Sequence, residues 1–159
     1  MFLDLAEWRS SCPAPAGIQV SRVIDSQGLH DLIKVMSEAF GDVRRDMLHE
    51  LQATCLVDDP LVLAYIAYAD GAPVAAGRME SPAGYAFASI WGGCTIPSFR
   101  HRGIFRALVS IRVDDARQRG HSYLAVDADD TSRTILERLG FWPMTAVTGW
   151  NLRAAPGPD

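Results

Sequence analysis

Cysteine is scarce in this 159-residue chain, with only Cys12, Cys55 and Cys94. An odd count without paired, ligand-like spacing excludes a disulfide framework and a zinc or iron–sulfur pattern. Reduced thiols and no bound metal are therefore expected. Long apolar runs are also lacking; none approaches the roughly 18 residues of a membrane span, so no membrane partner is expected. The opening stretch, Met1-Phe2-Leu3-Asp4-Leu5-Ala6-Glu7, is acidic where a secretory leader is basic. These absences together predict a cytoplasmic protein. Repeats and low-complexity tracts are missing too, and the length suits one domain with a core that needs no staples.

Charge is present but unevenly spread. The net charge is −4, yet residues 100–119 carry six arginines against Asp114 and Asp115. The remainder holds nine basic and seventeen acidic residues. An acidic chain with one basic segment is a poor general nucleic-acid binder, so no nucleic-acid partner is expected. It suits a compact, highly phosphorylated small molecule.

Residues 1–17 end in Cys12-Pro13-Ala14-Pro15-Ala16-Gly17 and read as an irregular lead-in. Ile18–Val23 alternates like a half-buried strand. Leu29, Leu32, Ile33, Met36 and Phe40 then recur at helical spacing, with Asp25/Ser26 as cap and Gly41 as stop. A second helix is expected from Asp42, presenting Val43, Met47, Leu48, Leu51 and Cys55. Three strands follow: Leu61–Ala69, a turn at Asp70-Gly71, Pro73–Glu80, then Tyr85–Ile96 interrupted by Gly92-Gly93. Glycines inside a strand mark a bulge or a close approach. A long helix begins near Gly103, Tyr123–Val126 is a short strand, and Asp130/Thr131 caps a last helix stopped by Gly140. Thr145–Leu152 is expected to close the sheet. The order predicts an α/β (α+β) domain over residues 18–153, a mixed, mostly antiparallel sheet flanked by helices with a central parallel pair, and a flexible tail at 154–159.

The chemistry concentrates at Arg100-His101-Arg102-Gly103-Ile104-Phe105, where a strand hands over to a helix. The first N–H groups of a helix have no internal partner and favour an anion. Gly103 removes the side chain that would keep a phosphate from the backbone, and Arg100, Arg102 and Arg106 add positive potential. A pyrophosphate is the expected ligand. The Lys-Ser/Thr pair of a Walker loop is absent.

Trp91-Gly92-Gly93-Cys94-Thr95-Ile96-Pro97 running into Arg100-His101-Arg102-Gly103-Ile104-Phe105-Arg106-Ala107-Leu108-Val109 resembles the central motif of the GNAT superfamily of N-acetyltransferases. Ser132-Arg133-Thr134-Ile135-Leu136-Glu137-Arg138-Leu139-Gly140-Phe141 resembles the family's second motif, a short helix ending in Leu-Gly-Phe. The resemblance, over roughly residues 18–153, implies a GNAT-like domain with a splayed parallel strand pair and acetyl-CoA as co-substrate. It implies that backbone N–H groups of His101, Arg102, Gly103, Ile104 and Phe105 hold the pyrophosphate beside Arg100. It also implies that Thr95 and Ile96 pair with the pantetheine amides, and that an N–H near Ile96 polarises the thioester carbonyl. Ser132 is implied near the thioester; the alternative for it is a hydroxyl of the helix cap.

Two positions depart from the family pattern. Phe105 stands where glycine or alanine is usual, which requires its ring to turn away into the core. Leu136 stands where many members carry a tyrosine that protonates the leaving thiolate, and the strand Tyr85–Ile96 lacks the usual carboxylate base. Glu80 is the substitute base, against the reading of a solvated strand-end carboxylate. Cys94 is weighed as an acyl nucleophile or a buried small residue. Asp127 and Asp129 are weighed as amine binders or helix caps. His30, His49, His101 and His121 are weighed as structural or exposed.

The expected reaction is transfer of an acetyl or similar acyl group to a primary amine of a small molecule or peptide, by direct attack on the thioester. The acidic surplus favours a cationic amine. The alternatives are a non-catalytic acyl-CoA-binding sensor or subunit on the same fold, and a partner-binding module anchored by its tryptophans. A homodimer is possible by resemblance.

Overall fold

Helix ends in this chain are set by short polar side chains and glycines. The Asp25 carboxylate accepts from the N–H of Gly28 and opens α1 (Ser26–Phe40), and Gly41, at φ 89°, closes it. Leu29, Leu32, Val35 and Met36 form its buried stripe. The computed structural model describes residues 1–41 and 47–148. In chain order the remaining elements are β1 (Phe2–Asp4), β2 (Ile18–Arg22), α2 (Met47–Cys55), β3 (Val62–Ala69), β4 (Ala72–Glu80), β5 (Phe87–Thr95), α3 (Ile104–Gln118), β6 (Tyr123–Ala125) and α4 (Asp130–Arg138).

Among the described residues one six-stranded sheet forms, in the order β1-β6-β5-β4-β3-β2. All neighbours are antiparallel except β5 and β6, which pair in parallel at Phe87–Ser89 and Tyr123–Ala125. The β3–β4 hairpin turns on Asp70 and Gly71, both at positive φ, as an Asp-Gly pair allows. The core is continuous from Leu29 and Leu32 of α1 through Tyr65, Ile66 and Met79 of the sheet to Leu108 and Val113 of α3. No helix among the described residues is long and apolar enough to cross a membrane.

Five expectations need correction or fall outside the described chain. Residues 1–17 are not irregular throughout, because Phe2–Asp4 forms β1 and pairs with β6. Three residues are too few for a periodic signal, and the pairing spans the whole domain. The last helix is capped by Asp129, whose side chain accepts from Ser132 N, not by Asp130 or Thr131. Thr145–Thr148, the described part of the expected closing strand, pairs with nothing in the sheet. Its remainder, the tail at 154–159, and the start of the second helix at Asp42 and Val43 lie outside the described residues.

Candidate active site

Beyond Ser89 the parallel pair comes apart. β6 ends at Ala125, while β5 runs on to Thr95, so one edge of β5 faces open space. Ile96 donates its N–H to Val74 of β4, at 3.0 Å. By strand alternation the main-chain groups of Thr95 point the other way, into the gap. That corrects the expected role of Ile96: its N–H is already engaged, and of the two residues Thr95 is the one whose backbone N–H is directed toward the gap. The Thr95 carbonyl accepts from Arg100 Nε at 3.1 Å, and Thr95 Oγ1 is buried without a partner.

After Thr95 a 3-10 turn over Pro97–Phe99 leads to Arg100, His101 and Arg102. His101 and Gly103 both take positive φ, 61° and 83°. The reversal turns the chain so that the head of α3 opens toward the end of β5. Ala107 N donates to Gly103 O, but the N–H groups of residues 101–106 have no hydrogen-bond partner among the described residues. A Cβ at Gly103 would meet only Pro15 Cγ, at 3.7 Å. Arg102 lies back over the Phe99 ring, 4.6 Å from its centroid, and donates to Ser98 O. Orphaned amides, an absent side chain and three exposed arginines fit a pyrophosphate.

The gap continues into a cavity of about 200 Å³. Its floor and walls include Trp91, Gly92, Gly93, Phe105, Arg112 and Leu136, and its mouth includes Phe40, Asp127, Asp129 and Ser132. The double glycine sits where the β4–β5 register slips between Ala76 and Arg78. Phe105 is half-buried and packs against the core, as its place in the motif requires, and it also lines the cavity. Its ring lies against Gly93, where a Cβ would stand 2.9 Å from Phe105 Cε2. The missing side chain at 93 accommodates the ring at 105, so this departure from the motif is matched by a neighbouring glycine.

The other candidates fall into place around this cavity. Glu80 is exposed and does not line it. It is linked to the cavity wall through Ser89, whose hydroxyl donates to Glu80 Oε2 at 3.5 Å and accepts from Trp91 Nε1 at 2.8 Å. Ser132 lines the mouth, but its hydroxyl donates to Asp129 Oδ1 at 2.7 Å, part of the α4 cap. Those bonds hold the Asp129 carboxyl below its ordinary range. Cys94 is buried and does not line the cavity, and burial pushes its thiol up to about 11, which fits a buried small residue rather than an acyl nucleophile. His121 is buried and structural, its ring bonded to the Ser81 hydroxyl and the Tyr85 carbonyl. Arg112 was not singled out in the sequence, although Ile104, Leu108 and Arg112 fall on one stripe at i, i+4 and i+8, where an arginine is out of place.

A splayed parallel pair, a glycine-marked helix head beside it and a cavity between them define an acyltransferase of the acetyl-CoA-dependent kind. The chain belongs to the acetyltransferase (GNAT) family, whose model matches residues 29–141. Solved structures share the fold. The aminoglycoside antibiotic 6'-N-acetyltransferase AAC(6')-Ih from Acinetobacter baumannii superposes with a TM-score of 0.70 at 21% identity, over 87% of this chain and 100% of that one. Aminoglycoside N-acetyltransferase AAC(6')-Iy in complex with CoA gives 0.73 at 18% identity, over 89% and 99%. An acetyltransferase from Trypanosoma brucei gives 0.70 at 14% identity, over 85% and 99%. No curated protein matches.

Proposed function

We propose that the chain transfers an acetyl, or similar acyl, group from acyl-CoA to a primary amine of a small molecule or peptide. The observation that carries the reading is the set of unpartnered N–H groups at residues 101–106, grouped around Gly103 beside the open edge of β5. In this reading His101, Arg102, Gly103, Ile104 and Phe105 hold the pyrophosphate through their backbone, with Arg100, Arg102 and Arg106 supplying positive potential. Thr95 offers its backbone N–H to the pantetheine arm as a strand would, and the thioester arm ends in the cavity beside Gly93. CoA supplies an acyl carbonyl activated as a thioester.

The chain's own contribution is positioning and exclusion of water. Phe105, Leu136 and Trp91 wall the cavity, and Asp127 and Asp129 at its mouth draw in a cationic amine. Glu80 is the candidate to receive the amine's proton, relayed through Ser89 or through water. Aminoglycosides are acceptors for structural neighbours by their names, so they join polyamines and lysine peptides in the panel to be assayed. A homodimer and a cytoplasmic location accompany this reading as proposals.

The test is release of free thiol from acetyl-CoA across that amine panel. Turnover with at least one amine, lost when Arg102 and Arg106 are both changed to glutamate, supports the reading. One observation favours a second reading, a non-catalytic acyl-CoA binder: no tyrosine lines the cavity at Leu136, and Glu80 stands outside it. Stabilisation by acetyl-CoA with no thiol release from any amine would select that alternative.

A further inference from the structure

The guanidinium of Arg112 is packed under the β4–β5 bulge and is 1% exposed. Nε donates to Leu108 O at 2.8 Å and Nη1 to Arg78 O at 3.4 Å. Nη2 is buried and has no hydrogen-bond partner, and no carboxylate pairs with this arginine among the described residues. Two glycines make the room it occupies. A Cβ on Gly77 would lie 3.0 Å from Nη1, and one on Gly93 would lie 3.5 Å from Nη2. The backbone has been cleared on both strands for a group that is left incompletely bonded.

Burial lowers the Arg112 pKa to about 10, so the side chain keeps its charge at neutral pH. The titratable groups facing it do not neutralise it. Tyr65 on β3 has its ionisation pushed up by burial and donates its hydroxyl to Asp115 of α3 at 2.7 Å, while Cys94 on β5 stays a thiol. Arg78 on β4 offers only its carbonyl. A desolvated cation with a free donor is unfavourable unless something else completes it. Arg112 lines the cavity together with Gly93, Phe105 and Leu136, and it is the positively charged side chain of that lining.

Resting on the acyl-CoA reading above, we propose that the buried, unpaired positive charge of Arg112, in the cavity wall beside Gly93, favours the negative charge that develops on the CoA sulfur as the thioester breaks. The amine nitrogen forms the C–N bond with the acyl carbon, the C–S bond breaks, and its electron pair goes to sulfur. Arg112 stabilises that charge electrostatically, through the cavity wall, and remains protonated throughout. The surplus proton of the attacking amine leaves to a base or to water at the cavity mouth, and the thiolate is protonated from solvent after release. No residue has to donate a proton inside the cavity, which accounts for a leucine at 136.

The test is titration of the thiol of CoA bound to the protein, followed by thiolate ultraviolet absorbance against a desulfo-CoA complex. An adjacent guanidinium should lower the bound thiol's pKa by about one unit or more relative to free CoA, a roughly tenfold easier ionisation. In Arg112→Gln, CoA should still bind in mildly acid buffer, but its thiol should titrate as it does free; Arg112→Lys should keep part of the shift. Binding of CoA to the wild-type protein with an unshifted thiol would overturn the proposal while leaving the acyl-CoA reading standing. Absence of CoA binding to the wild-type protein would overturn both. The wild-type titration decides the matter even where Arg112→Gln fails to fold.

Discussion

Gly93 and Phe105 are the clearest case of one residue explaining another. The ring at the second position of α3 needs the space that a side chain at 93 would fill. Gly93→Ala is expected to destabilise the fold by about 1–3 kcal/mol, the usual range for overpacking, and Phe105→Ala in the same chain should restore part of the loss. Urea unfolding of the two single variants and the double variant measures the coupling. Cys94 makes the opposite point. With its thiol pushed up to about 11 it should resist alkylation in the native protein at neutral pH, and Cys94→Ala should retain acyl transfer. Labelling followed by mass measurement checks the first, and the thiol-release assay the second. The glycine at 103 was legible in the sequence because nothing else explains a glycine between arginines at a helix start. Arg112 was not, because its burial depends on Gly77 and Gly93, which sit on strands distant in sequence.

Element ends carry measurable stability of their own. Asp129 holds the first turn of α4 through Ser132 N and Oγ. Asp129→Ala should lower stability by about 1 kcal/mol, the usual value for an N-cap. The folded carboxyl is held below its unfolded value, so its contribution is fully present above the ordinary aspartate range near pH 4. It fades as pH falls through the depressed value. The difference in unfolding midpoint between wild type and Asp129→Ala should therefore shrink on acidification below about pH 4; a constant difference would show that the cap does not act through its charge. The helices and the β3–β4 hairpin could be read from the sequence because periodicity, caps and Asp-Gly chemistry are local. β1 could not, since three residues carry no period and their pairing with β6 is fixed by the whole fold.

At the scale of the molecule, the first twelve residues act as a strap across α3. Leu3, Leu5 and Trp8 are buried, Arg117 donates to the carbonyls of Leu5 and Trp8, and Cys12 N donates to Ser110 Oγ at 2.9 Å. Pro15 then passes beside Gly103. Trp8→Ala should cost about 3–5 kcal/mol, a core rather than a surface effect, as thermal unfolding would reveal. A lead-in read as irregular thus braces the helix whose head forms the proposed phosphate site. The uneven charge noted in the sequence is arranged on this same helix and loop, so cofactor affinity should weaken as salt is raised. The most direct measurement of the central claim is calorimetric titration of the wild-type protein with CoA and, separately, with pantetheine, which shares the thiol arm but lacks the pyrophosphate. Binding of CoA with heat and affinity that pantetheine fails to match is the predicted result, and it places the recognition energy on the pyrophosphate and nucleotide that pantetheine lacks. Equal affinity for the two compounds, or none for either, would contradict it.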